Sequence, residues 1–152
     1  MKKAFCMMLA LAMLAAAGSA AADQAVRLPE SRYTLILPDS MEYDGPTPDS
    51  DEAFAYVSGE LGLEISFFRY DARGANLADL RPKILEKGAD DVQITAINGV
   101  EMLVYRIAPY DASGMKCIGY ILVEGNTVQE IVFWYATDAA AKATKSIMES
   151  IY

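Results

Sequence analysis

The chain has 152 residues, is 53% hydrophobic, and carries 21 acids against 13 bases for a net charge of −8. That length allows one domain with a substantial core, and the charge argues against nucleic acid and anionic lipid surfaces as partners. Histidine is absent, which removes the commonest general base and the commonest transition-metal ligand together.

Met1-Lys2-Lys3 is a short basic head, followed by an apolar run from Ala4 to Ala17 and by Ala20-Ala21-Ala22 just before Asp23. The pattern predicts a secretory signal peptide over residues 1–22, too short at its apolar centre for a membrane span. Cys6 lies inside the apolar run and not after a small-residue box, so no lipid anchor is expected. An exported protein follows, periplasmic or extracellular, with residues 23–152 as a single α+β domain and no membrane insertion after cleavage. Lys2 and Lys3 leave with the leader while all 21 acids stay, so eleven bases remain and the net charge becomes −10. Cys117 is then the one remaining cysteine, and no intramolecular disulfide can form despite an oxidising destination.

Residues Asp23 to Glu30 read as an unstructured lead-in. Tyr33–Pro38 is a strand stopped by proline, and Asp39 to Glu52, with six acids and no base, has the composition of a loop. Ala53–Val57 and Leu61–Tyr70 are two further strands turned by Ser58-Gly59-Glu60. Asn76 with Asp79 three residues on forms a variant capping box, followed by an apolar stripe of Leu77, Leu80, Ile84 and Leu85 and a stop at Gly88. Pro82 leaves two readings open: a kinked helix over 76–87, or a regular helix that starts only near Arg81. Val92–Ile97 and Val100–Ala108 flank Asn98-Gly99, a strong hairpin signal, and Val92, Ile94, Leu103, Tyr105 and Ile107 share one face of that pair.

Lys116–Glu124 and Thr127–Ala136 flank Gly125-Asn126, and a two-residue turn there sets Val123 opposite Val128, Tyr120 opposite Ile131 and Cys117 opposite Trp134. Ile118, Tyr120, Leu122, Ile131, Phe133 and Tyr135 then occupy one face. Cys117, Ile121, Val123, Val128, Val132 and Trp134 occupy the other, with Gly119 leaving space beside the indole. Both faces are apolar, so both should be covered. Thr137 or Asp138 caps a closing helix over Ala139–Ile151 that packs through Ala140, Thr144, Ile147 and Ile151.

Chemical signatures are sparse. Ser113-Gly114-Met115-Lys116 matches S-x-x-K, in which a lysine serves a serine nucleophile, but it falls in a strand connection and no S-D-N or K-T-G accompanies it. Neither G-x-x-x-x-G-K nor G-x-G-x-x-G occurs. Asp49-Ser50-Asp51-Glu52 clusters carboxylates as a calcium site does, yet its spacing fits no known calcium loop, and a solvated acidic loop is the better reading. Cys117 reads as a small buried hydrophobe rather than a reactive thiol. Glu130 is the one acid facing the Trp134 side of the central hairpin, and near a strand end it reads as a rim residue. No cofactor, metal site or catalytic residue is assigned. The loose binding candidates are Glu130, Trp134, Tyr70 and Tyr110, in a small binding or interaction module of unknown ligand or protein partner. The alternative is a small secreted hydrolase using Ser113 and Lys116 or a carboxylate site.

The strand Tyr33-Thr34-Leu35-Ile36-Leu37-Pro38, the strand Ile131-Val132-Phe133-Trp134-Tyr135 and the helix that ends Ser146-Ile147-Met148-Glu149-Ser150-Ile151 resemble the PsbP-like α/β/α sandwich superfamily. The resemblance extends to the order of elements over almost the whole of residues 23–152. It implies an antiparallel sheet flanked by two helices and a binding or assembly role, and it brings no catalytic residues with it.

Overall fold

The structure, a computed structural model, describes residues 22–46, 53–108 and 114–152. The leader, the Asp49–Glu52 carboxylates, Tyr110 and Ser113 lie outside the described residues. Nine strands occur in the described segments: β1 (Gln24–Arg27), β2 (Thr34–Leu37), β3 (Glu42–Pro46), β4 (Ala53–Ser58), β5 (Leu63–Asp71), β6 (Asp91–Ile97), β7 (Val100–Ile107), β8 (Lys116–Glu124) and β9 (Thr127–Tyr135). Helix α1 (Leu77–Glu86) lies between β5 and β6, and helix α2 (Asp138–Glu149) follows β9. Seven strands form one antiparallel sheet in the order β3-β4-β5-β9-β8-β7-β6, and β1 pairs with β2 in a separate ribbon. This is an α+β sandwich with a helix on each face.

The central hairpin has the register that its turn demands, with Cys117 opposite Trp134, Tyr120 opposite Ile131 and Val123 opposite Val128. Gly125 alone of the turn pair has positive φ, at 62°, the sign pattern of a II′ turn, which matches the twist of the strands it joins. At the β6–β7 turn both Asn98 (49°) and Gly99 (77°) have positive φ, as a I′ turn requires. Strand β5 adds to β9 with Phe68 opposite Glu130 and Glu64 opposite Trp134, so β9 is paired on both sides.

Alternation divides the core in two. Ile118, Tyr120, Leu122, Ile131 and Phe133 face α2 and the β1–β2 ribbon, packing with Leu35, Leu37, Ala140, Ile147 and Met148. Leu103, Tyr105, Ile121 and Val128 face α1 through Leu77, Leu80 and Ile84. Leu85, expected in that stripe, is 45% exposed, and Ile94, on the same sheet face at the edge strand β6, is 42% exposed. Helix α1 is regular from Leu77 through Pro82, with a reciprocal Asn76–Asp79 capping box. Thr137, not Asp138, caps α2 by accepting from Ala140 N–H at 3.1 Å. Ile151 is buried beyond the last helical turn.

Two expectations are corrected. The lead-in is not unstructured: Gln24–Arg27 pairs with Thr34–Leu37, and Val26 and Leu28 are buried. A four-residue strand shows too little alternation to be seen before its partner and the α2 surface are in place. The acidic loop is interrupted by β3, which pairs with β4 through a bulge between Tyr43 and Gly45. An edge strand has one unpaired, solvated side, so it accommodates Pro46, Gly45 and acidic side chains that a central strand would reject.

Candidate functional site

The face beneath α1 is only partly covered. Helix α1 packs on β6, β7 and β8, and a cavity of about 360 Å³ opens beside it, at the end of β5 and along the helix. Tyr70, Asp71 and Arg73 come from the end of β5 and the loop after it, and Leu80, Lys83, Ile84 and Lys87 from α1 and its C-cap. Period 3.6 explains the helical contribution: Leu80 and Ile84 are four apart, as are Lys83 and Lys87, so an apolar row and a cationic row run side by side.

A chain of contacts starting at Gly119 positions the Tyr70 wall. The Tyr105 ring lies across Gly119, its partner on β8, and a Cβ at that position would collide with Cζ of the ring. Gly119 thus makes room for the tyrosine and not, as its neighbours on β8 and β9 suggested, for the Trp134 indole. Tyr105 Oη donates to Glu130 Oε1 at 2.6 Å, and Tyr70 Oη donates to Glu130 Oε2 at 3.2 Å. Each carboxylate oxygen of Glu130 accepts one phenol. Burial first, and then the Glu130 charge beside them, raise both phenols above the ordinary tyrosine range. Both phenols therefore stay protonated and act as donors. Glu130 is half-buried and tied to two rings, unlike the solvated rim residue expected from its place near a strand end.

The floor loop is held as firmly. Asp71 Oδ1 accepts from Arg73 N–H at 2.7 Å and from Asn126 Nδ2 at 2.6 Å. Asn126 in turn accepts Gly74 N–H on its side chain at 3.1 Å and Ala72 N–H on its carbonyl at 2.8 Å. The central hairpin turn therefore clamps the loop that leads into α1. Within that loop Arg73 has φ +50°, a left-handed conformation that a long side chain adopts only when its surroundings enforce it.

The structure brings together Glu130 and Tyr70 and separates Trp134 from them. Trp134 is half-buried further along β9, opposite Cys117 and Glu64. Cys117 is 3% exposed, and burial, with the Glu130 charge second, pushes its thiol up to about 11, so little thiolate exists at neutral pH. Lys116 is exposed at the start of β8. Sequence reasoning missed Arg73, Lys83 and Lys87. The available signal was the Lys83/Lys87 spacing of four beside an apolar stripe, but only the fold shows that this row borders a cavity.

The architecture defines the class: a single antiparallel α+β sandwich with one helix on each face. No protein-family model and no curated protein matches the chain. Among solved structures it is similar to the solution structure of cyanobacterial PsbP (CyanoP) from Synechocystis sp. PCC 6803, with TM-score 0.65 and 10% identity over 87% of this chain and 92% of that one. It is also similar to a crystal structure of a protein from Bacteroides thetaiotaomicron VPI-5482, with TM-score 0.59 and 11% identity. That match covers 79% of this chain but spans only 44% of the Bacteroides chain. At such identity the likeness concerns the fold.

Proposed function

We propose that this protein is an exported, non-catalytic binding module whose ligand enters the cavity between β5 and α1. The observation that carries the reading is the fixed wall: Tyr70 is held by Glu130, Glu130 by Tyr105, and Tyr105 by the space above Gly119. Binding needs a concave patch with an aromatic body and a few oriented polar groups. Catalysis needs in addition a nucleophile with its base, a tuned acid–base pair or a metal-activated water. On this face Glu130 already accepts a phenol on each oxygen, and Cys117 is buried as a thiol. The basic head, apolar run and A-x-A site over residues 1–22 support export.

Expression of the full chain followed by cell fractionation and N-terminal sequencing should recover a protein starting at Asp23 outside the cytoplasm. Thermal unfolding against a small-molecule panel should then reveal a ligand that raises the midpoint, as binding to the native state does. Ser113→Ala and Lys116→Ala should leave that shift intact. Turnover of ester, amide or glycoside substrates that either substitution abolishes would overturn the reading in favour of a hydrolase.

A further inference from the structure

The cavity beside α1 carries a charge opposite to that of the molecule around it. Over the whole sequence acids outnumber bases by 21 to 13, yet between Arg73 and Lys87 four bases stand against two acids. Arg73, Lys83 and Lys87 line the cavity. Of the eleven bases after residue 22, Arg32 pairs with Glu124, Arg69 with Glu30, Arg106 with Asp91 and Lys145 with Glu149. Among the described residues, Arg73, Lys83 and Lys87 are in no such pair. Asp71, the one acid in the lining, directs Oδ1 to the Arg73 N–H and to Asn126. Three cations against one carboxylate leave the walls positive.

Beneath the cations the floor is apolar. Leu80 and Ile84 are 8% and 5% exposed, and the Tyr70 ring closes one side with its hydroxyl turned to Glu130. Arg73 sits at the rim in its left-handed conformation, its N–H held by Asp71 and the next N–H, of Gly74, by Asn126, and backbone held in a sparsely populated region is found preferentially at sites that bind or switch. The volume of about 360 Å³ falls at the small end of the ligand-pocket range of roughly 300–1,000 Å³. We infer that this cavity binds a small organic anion with an apolar body, its charged group met by Arg73, Lys83 and Lys87 and its body lying on Leu80, Ile84 and the Tyr70 ring. An aryl or short-alkyl carboxylate or sulfonate meets both requirements. Inorganic phosphate lacks the body, and a neutral aromatic lacks the charge.

This inference rests on the binding-module reading, and the experiment separates the two. Protein purified from cells that express the full chain is titrated with 2-naphthoate, with its neutral isostere 2-naphthalenemethanol and with inorganic phosphate, while amide resonances are followed by NMR. The expected result is saturable shifts for 2-naphthoate over residues 70–74 and 80–88, with the two controls weaker by about tenfold or more. The triple variant R73Q/K83Q/K87Q should weaken 2-naphthoate by about tenfold, since solvated ion pairings are individually weak. Its unperturbed amides elsewhere would show that the fold is kept. Equal binding by the neutral isostere, an unchanged triple variant or shifts confined to other residues would overturn the anion assignment. If 2-naphthoate fails while another class of ligand shifts the same amides, the anion assignment falls and the module reading stands. Turnover lost with Ser113→Ala would bring down the module reading itself.

Discussion

The two faces of the sheet use the same strands and are finished differently. On one, Ile65, Phe67, Ile118, Tyr120, Leu122, Ile131 and Phe133 meet α2 and the β1–β2 ribbon, and the packing is largely apolar. On the other, the ten-residue α1 covers β6 to β8, and Tyr70, Glu130 and Trp134 are left half-buried. The buried polar side chains on the closed face bond to nearby backbone, Gln129 donating to the Pro29 carbonyl and Thr144 to the Ala140 carbonyl. The partly open face must satisfy a carboxylate, two phenols and a thiol, and it does so with a hydrogen-bonded cluster next to a cavity. The closed face is thus finished mainly by apolar packing, and the partly open face by a hydrogen-bonded cluster beside a cavity.

Substitutions can break that contrast, beginning with the closed face. Phe133 is fully buried and meets Tyr120 edge-to-face with ring centroids 5.7 Å apart. Phe133→Ala should cost about 3–5 kcal/mol in urea denaturation. On the partly open face, Glu130→Ala leaves two phenols without their acceptor and should cost about 1–3 kcal/mol. Gly119→Ala should cost a similar amount, roughly 1–3 kcal/mol, by driving the Tyr105 ring off Glu130. If Phe133→Ala proved milder than Glu130→Ala, that contrast between the faces would fail.

Alkaline pH sharpens the same contrast. The Cys117 thiol rises from 9.0 to about 11 on folding, so above pH 9 the unfolded chain releases a proton that the folded chain keeps. The stability contributed by the protonated thiol is complete below pH 9 and is lost as pH rises toward 11. Tyr70 and Tyr105 act in the same direction above pH 10. Urea midpoints should therefore fall across pH 9–11, and Cys117→Ala should flatten the first part of the decline. A midpoint that rises over this range would contradict the burial of Cys117. A thiol reagent should label Cys117 slowly in the native protein and fast in urea. The smallest effect belongs to the exposed shoulder of α1, where Leu85→Gln should change stability by no more than about 0.5 kcal/mol.

Local chemistry determined much of this protein directly from its sequence. Asn98-Gly99 and Gly125-Asn126 specify two-residue turns, and the turn sets the register, which alternation then converts into two apolar faces. Asn76 with Asp79 set the start of α1, and Thr137 that of α2, because orphan N–H groups need a nearby acceptor. Other features exist only in three dimensions. Gln24–Arg27 is too short to show a period, and it becomes a strand because β2 pairs with it and the α2 side of the core takes Val26. Glu42–Pro46 looks like a loop by composition and is a strand because the sheet has an edge there. Glu130 and Tyr70 were visible as polar and aromatic residues on strands, but their contact crosses from β9 to β5 and their third partner, Tyr105, arrives from β7. Arg73, Lys83 and Lys87 are ordinary surface bases in the sequence. They become the rim of one cavity only because the central hairpin turn clamps the loop before α1 and lays that helix over part of the sheet, a placement set by contacts between residues more than fifty positions apart, such as Gly74 with Asn126.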